Sequence, residues 1–97
     1  MTKIDETTVL SLAPNASFQA MGEGAVILML DSGQLYTCNE TTEAFLKLID
    51  GQRDFGAIIS LLLGEFDVDR ESLSGDLLPI AGELRSAGVV EIRSGKS

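Results

Sequence analysis

The sequence predicts an α+β fold in which three strands are followed by three helices, with a short closing strand. Two observations carry this. Before Asn39 the apolar residues come in strand-length runs divided by glycine-containing turns; after it they recur every three or four residues, the helical period. At 97 residues the chain supplies one hydrophobic core and not two, so it reads as a single domain over 1–97.

Ser17 to Met21 has strand character, and Gly22-Glu23-Gly24 follows as a turn. Ala25 to Leu30 is an unbroken apolar run with branched residues at its centre, the pattern of a strand covered on both faces. Asp31-Ser32-Gly33 is hairpin chemistry, Asp favouring the entry and Gly the exit. Gln34 to Cys38 returns, with Leu35 and Thr37 on one face and Tyr36 and Cys38 on the other.

Asn39 is placed to cap the first helix, since its side-chain oxygen can accept from an unpaired amide. Glu40 and Glu43 sit in that helix's first turn, where the dipole favours acids. Ala44, Phe45, Leu48 and Ile49 give it an apolar side, and Gly51 marks its stop. Asp54 caps a second helix whose stripe runs Phe55, Ile58, Ile59, Leu62, Leu63 and Phe66, a pattern typical of core. A third helical pattern holds Leu73, Leu77, Leu78, Ile80, Ala81 and Leu84 and closes at Gly88. Pro79 lies inside it. Proline removes one helical hydrogen bond outside the first turn, which predicts either a start near Gly75 or Asp76 or a kink. Val89 to Ile92 has the character of a last short strand. The polar ends, Thr2 to Thr8 and Arg93 to Ser97, are expected to be loose.

Composition excludes several functions. Seven basic residues against fifteen acidic ones give a net charge of −8, the wrong sign for phosphate contacts, so nucleic acid is not an expected partner. Apolar runs stay far below the ~20 residues of a membrane-spanning helix. The start MTKIDETTV lacks a signal-peptide pattern, which places the protein in the cytoplasm. The chain has no histidine, the usual residue of hydrolytic triads and proton shuttles. Its lone cysteine, Cys38, has no histidine to activate it and reads as a small buried side chain. Asp67, Asp69 and Glu71 begin like a calcium loop, but the glycine and the bidentate acid that it needs fall on Ser72 and Leu78. No phosphate-binding glycine loop follows Gly24. The expectation is a protein without catalysis, metal or cofactor.

The stretch LDSGQLYTCNETTEAFLKLIDG, Leu30 to Gly51, together with the chain that follows, resembles the PqqD-like family, also called RiPP recognition elements. The resemblance rests on the strand pair around Asp31-Ser32-Gly33, the N-x-T at Asn39 to Thr41 and the L-x-D-G at Leu48 to Gly51. It continues through the two-isoleucine helix with Phe66, Asp76, and the L-x-x-x-G-V-V at Leu84 to Val90. It covers about residues 17 to 92, the whole core of a single domain. Pro79 is a departure, because the family's third helix usually runs unbroken. Within the family, MLDSGQLYTCNETT is more similar to the discrete elements of lasso-peptide clusters than to the pyrroloquinoline-quinone members, which more often carry a Pro-Glu-Gly turn.

The resemblance implies a winged helix-turn-helix-like domain that binds, without catalysis, the leader segment of a ribosomally made and later modified precursor peptide. The leader is expected to add as a strand along the third sheet strand, in a groove closed by the third helix. The contact residues implied are Leu35, Tyr36, Thr37 and Cys38 on the strand, and Leu77, Ile80, Ala81 and Leu84 on the helix. Arg85 is expected to pair an acidic leader side chain. The implied partners are the leader, its modifying enzyme or leader peptidase, and the protein itself as a monomer or homodimer. A sheet edge suits this role, since backbone pairing gives affinity while side-chain pockets give specificity. Without the resemblance, the same apolar residues read as ordinary core. The rival readings are a DNA-binding winged helix, disfavoured by Asp76 and Glu83 against the single Arg85 on the third helix after Leu73, and a small structural adaptor.

Overall fold

The computed structural model describes residues 4–94. In chain order its elements are β1 (Val9–Leu12), β2 (Ala16–Ala20), β3 (Ala25–Met29), β4 (Leu35–Cys38), α1 (Glu40–Leu48), α2 (Phe55–Leu62), α3 (Arg70–Ser86) and β5 (Val90–Ser94). The strands β2, β3 and β4 form an antiparallel sheet in that order, and β1 pairs antiparallel with β5 in a second, two-stranded sheet. The expected α+β fold of a three-stranded sheet with three helices is therefore present. The strand β1 and its pairing with β5 are additions to it.

The β3–β4 hairpin closes where the sequence places it. The Gly33 amide donates to the Met29 carbonyl (2.7 Å) and the Met29 amide to the Gln34 carbonyl (2.8 Å). Ala25, Ile27 and Met29 are buried, whereas Leu28 and Leu30 are exposed and Val26 is half-buried. The run from Ala25 to Leu30 is thus covered on one face and not on both. Its outer face carries no packed element, and branched apolar residues there satisfy strand propensity without being core.

The N-terminal segment is anchored, contrary to the expectation of a loose end. Thr8 is buried, and the Phe55 amide donates to its carbonyl (2.8 Å). The Gly56 amide donates to the Glu6 carbonyl (2.9 Å), and the Asp5 carboxylate accepts from the Thr7 amide (2.9 Å). The Arg70 guanidinium donates to the Glu6 carboxylate (3.0 Å), the Ser60 hydroxyl (2.9 Å) and the Gly56 carbonyl (3.2 Å). A polar sequence is held here by hydrogen bonds to the backbone of α2. At the other end Arg93 and Ser94 belong to β5. Residues 1–3 and 95–97, the remainder of the two ends expected to be loose, lie outside the described residues.

Each helix starts at an acid or amide cap. Asn39, Asp54 and Asp69 accept from the amides of Thr42 (2.9 Å), Ala57 (2.8 Å) and Ser72 (3.2 Å). The helix α2 ends at Leu62, and Phe66 packs on the core from the turn that follows. The helix α3 runs unbroken from Arg70 to Ser86 with Pro79 inside it, so the expected late start does not occur. Pro79 is exposed, as is Gly75, whose carbonyl loses its helical donor to the proline ring; water reaches both. The turns before Pro79 are held by the Asp69 cap and by Leu73 and Leu77, which are buried. At the far end Gly88 takes φ +82°, and the amides of Gly88 and Val89 donate to the carbonyls of Arg85 (3.0 Å) and Leu84 (2.9 Å). This is a Schellman close, which only glycine adopts without strain, and it turns the chain directly into β5.

The core lies between the sheets and the helices. Phe45 and Phe55 meet edge to face at 5.8 Å, surrounded by the fully buried Leu10, Ile27, Leu46, Ile58, Ile59, Leu62, Leu77 and Val89. Leu10 brings β1 into that core. Leu10→Ala is expected to cost about 2–5 kcal/mol in urea denaturation with an unchanged m-value; a loss under about 1 kcal/mol would make β1 peripheral. Pro79→Ala restores a donor in an exposed helix interior and is expected to raise stability by up to about 3 kcal/mol with unchanged circular dichroism.

Candidate peptide-binding cleft

In the order β2-β3-β4, and among the described residues, the strand β4 has a partner on one side only. Residues opposite one another in an antiparallel pair alternate between bonded and non-bonded positions. Counting from the Met29–Gln34 hydrogen bond through the register Leu28↔Leu35, Ile27↔Tyr36, Val26↔Thr37 and Ala25↔Cys38, the backbone groups of Tyr36 and Cys38 face β3. Those of Leu35 and Thr37 therefore face the open edge. Side chains alternate the other way: Tyr36 and Cys38 are half-buried toward the helices, while Leu35 and Thr37 are exposed.

Beside this edge lies a cleft of about 310 Å³. The strand and the cap after it contribute Tyr36, Thr37, Cys38 and Asn39; α1 contributes Thr42; α3 contributes Ile80, Glu83 and Leu84, with Ala87 at its C-cap. Its floor is apolar and its rim polar. Behind the strand, Gly24 lies close to Cys38: at φ +144°, a Cβ there would collide with the Cys38 carbonyl oxygen, so β3 starts tight against the end of β4. Tyr36 is oriented by its hydroxyl, which donates to the Gln34 amide oxygen (3.1 Å). Burial pushes the Cys38 thiol above its ordinary pKa, which disfavours the thiolate and hence nucleophilic chemistry.

The structure brings five of the nine expected contact residues together in this cleft: Tyr36, Thr37, Cys38, Ile80 and Leu84. Leu35 is 60% exposed and, opposite Leu28, lies on the outer face of the sheet. Leu77 and Ala81 are fully buried in the core. Arg85 opens into a separate shallow cleft with Gly88, Val90, Glu91 and Ile92. The sequence reading missed Asn39, Thr42, Glu83 and Ala87 as lining residues. Glu83 and Ala87 fall three and seven positions after Ile80, so a helical-face count starting from Ile80 finds them. Most of the apolar stripe, Leu73, Leu77 and Ala81, points into the core.

A second cleft, between the β2–β3 turn and α1, includes Glu43, which is buried and accepts from the Gly22 amide (3.0 Å). That contact ties the turn to the helix. Among the described residues no group of three or more His, Cys, Asp or Glu side chains is placed to hold a metal ion. No helix of the described residues is long and apolar enough to cross a membrane. An unpaired edge with outward amides and carbonyls, beside an apolar cleft with a polar rim, has the chemistry to hold an extended peptide by its backbone and sort it by its side chains.

Comparison with known proteins agrees with this architecture. A solved structure, TbiB1 in complex with the TbiA(beta) leader peptide, superposes with a TM-score of 0.75 over 84% of this chain and 94% of that one, at 17% sequence identity. The PqqA binding protein of Gluconobacter oxydans (strain 621H) is 30% identical over 87 residues, 90% of this chain and 91% of the relative. The family model for coenzyme PQQ synthesis protein D (PqqD) matches residues 24–90. On these grounds the chain belongs to the PqqD family.

Proposed function

We propose that this protein binds the leader segment of a ribosomally synthesised precursor peptide and presents it to a modifying enzyme or leader peptidase, itself performing no chemistry. The leader adds as a strand along the open edge of β4, with alternate side chains in the cleft against α3. The observation that carries this is the coincidence of an unpaired edge and an amphipathic cleft on the same strand. The family supports it: the relative is named for binding PqqA, and the structural neighbour is a complex with a leader peptide. Each edge hydrogen bond contributes about 0.5–1.5 kcal/mol net, so the backbone pairing needs apolar anchors in the cleft beside it to give useful affinity. The DNA-binding alternative has nothing in its favour on α3, whose two cations are Arg70, bonded to Glu6, and Arg85 at its last turn.

The reading is tested by fluorescence anisotropy with two labelled probes, a PqqA peptide and a DNA duplex. Saturable peptide binding with none to DNA is the expected result; binding to DNA alone, weakening with salt, overturns it. Thr37→Pro removes an amide that faces the open edge and leaves the β3–β4 ladder intact. It is expected to keep the circular dichroism of the parent and weaken peptide binding by about 2- to 12-fold. Tyr36→Pro, which removes a ladder amide, is expected to disturb the fold instead. Cys38 supplies a second readout: its alkylation by iodoacetamide at pH 7.5 is expected to be slower than that of a free thiol and slower again with peptide bound. An unchanged rate would place the peptide elsewhere.

A further inference from the structure

We infer that the cleft selects a leader carrying a basic side chain beside its apolar anchor, and that Glu83 is the residue that reads it. The inference rests on the leader-binding reading above and adds the charge of the ligand.

Glu83 is exposed on the rim of the cleft. On α3 it stands three residues after Ile80 and four before Ala87, so it lies one turn from each of the apolar positions that flank it along the helix. An extended peptide presents every second side chain to the same face, about 6.8 Å apart, close to the ~5.4 Å rise of one helical turn. Whichever apolar spot the anchor occupies, the neighbouring inward residue of the leader arrives at Glu83.

Among the described residues no cation offsets this carboxylate. The walls of the cleft contain no Lys or Arg. Arg70 is engaged with Glu6, Ser60 and the Gly56 carbonyl, and Arg85 opens into a different cleft. Asp76, one turn before Ile80 and also exposed, extends the same sign along the helix. The whole chain carries −8. An acidic leader residue placed here would meet uncompensated negative charge. A lysine or arginine would lay its aliphatic stem on Ile80 or Ala87 and bring its head to Glu83. The charge inferred here is opposite to that of the acidic side chain expected to pair with Arg85, which opens into a separate cleft.

The test is a selection from a random 12-residue peptide library displayed on messenger RNA, run against the full chain and against Glu83→Gln and Glu83→Lys. The parent is expected to retain peptides enriched in Lys or Arg two positions from an apolar residue. Glu83→Gln is expected to lose that enrichment, and Glu83→Lys to replace it with Asp or Glu. The best parental peptide is expected to bind Glu83→Gln about two- to five-fold more weakly, the range of an exposed ion pair. Peptides retained by the parent with no basic preference, or with the same preference in Glu83→Gln, overturn the charge inference and leave peptide binding standing. No peptide retained by the parent overturns both.

Discussion

The pairing of β5 with β1 decides what the rest of the molecule can do. After the Schellman close at Gly88 the chain has a strand, Val90–Ser94, to pair. Backbone groups in a strand need partners, and the open edge of β4 could in principle supply them. The N-terminal strand supplies them instead, in the register Leu10↔Ile92, Ser11↔Glu91 and Leu12↔Val90. This leaves β4 with one neighbour and α3 standing beside it across a cleft. The same pairing brings Leu10 into the core, and the Ala13 amide extends it by donating to the Val89 carbonyl (2.9 Å). An open edge at β4 therefore follows from how the chain ends are satisfied, and the anchoring of residues 5–8 by Arg70 and α2 protects that arrangement.

The helix α3 serves two surfaces at once. Leu73, Leu77, Ala81 and Leu84 follow the 3.6-residue period into the core, and Ile80, Glu83 and Ala87 lie on the adjacent stripe beside β4. Leu84 sits at the boundary, 9% exposed, and belongs to both. The cleft thus has a floor continuous with the core, which resists deformation because close-packed interiors do. A peptide docking there meets a preformed surface, which lowers the ordering cost of binding.

Local chemistry was legible in the sequence and long-range pairing was not. The hairpin at Asp31-Ser32-Gly33, the two caps at Asn39 and Asp54, and the stop at Gly88 each depend on a few adjacent residues, and each appears. The strand β1 went unread because Val9–Leu12 is four residues long and acquires its meaning from a partner some 80 positions away, a separation no local pattern encodes. Pro79 misled for a related reason. Its cost is a local property, but tertiary burial of Leu73 and Leu77 on the turns before it outweighs that cost. On the strand side, Tyr36, Thr37 and Cys38 line the cleft, whereas Leu35 lies on the outer face of the sheet, because successive strand residues alternate between two faces. On the helix side, Ile80 and Leu84 line the cleft while Leu77 and Ala81 are taken by the core, since a helical period alone does not separate two adjacent stripes. Arg85 shows the consequence: adjacent in sequence to Leu84, it points about 100° around the helix from it.

An edge strand beside an apolar cleft is also a surface on which a second copy of the chain could pair, and the features that admit a leader act against that. The strand β4 has four residues, so a symmetric pairing of two copies would form few hydrogen bonds. Each copy would bring its own Glu83 to the other's rim and a net charge of −8 to the encounter. Very short edge strands are one way proteins avoid edge-to-edge association. A slender extended peptide avoids these penalties: it fits between β4 and α3 where a folded domain does not, and a basic residue on it turns the repulsion into attraction. The acidic rim thus has two consequences from one cause, since the charge that selects the ligand is the charge that keeps the edge open for it.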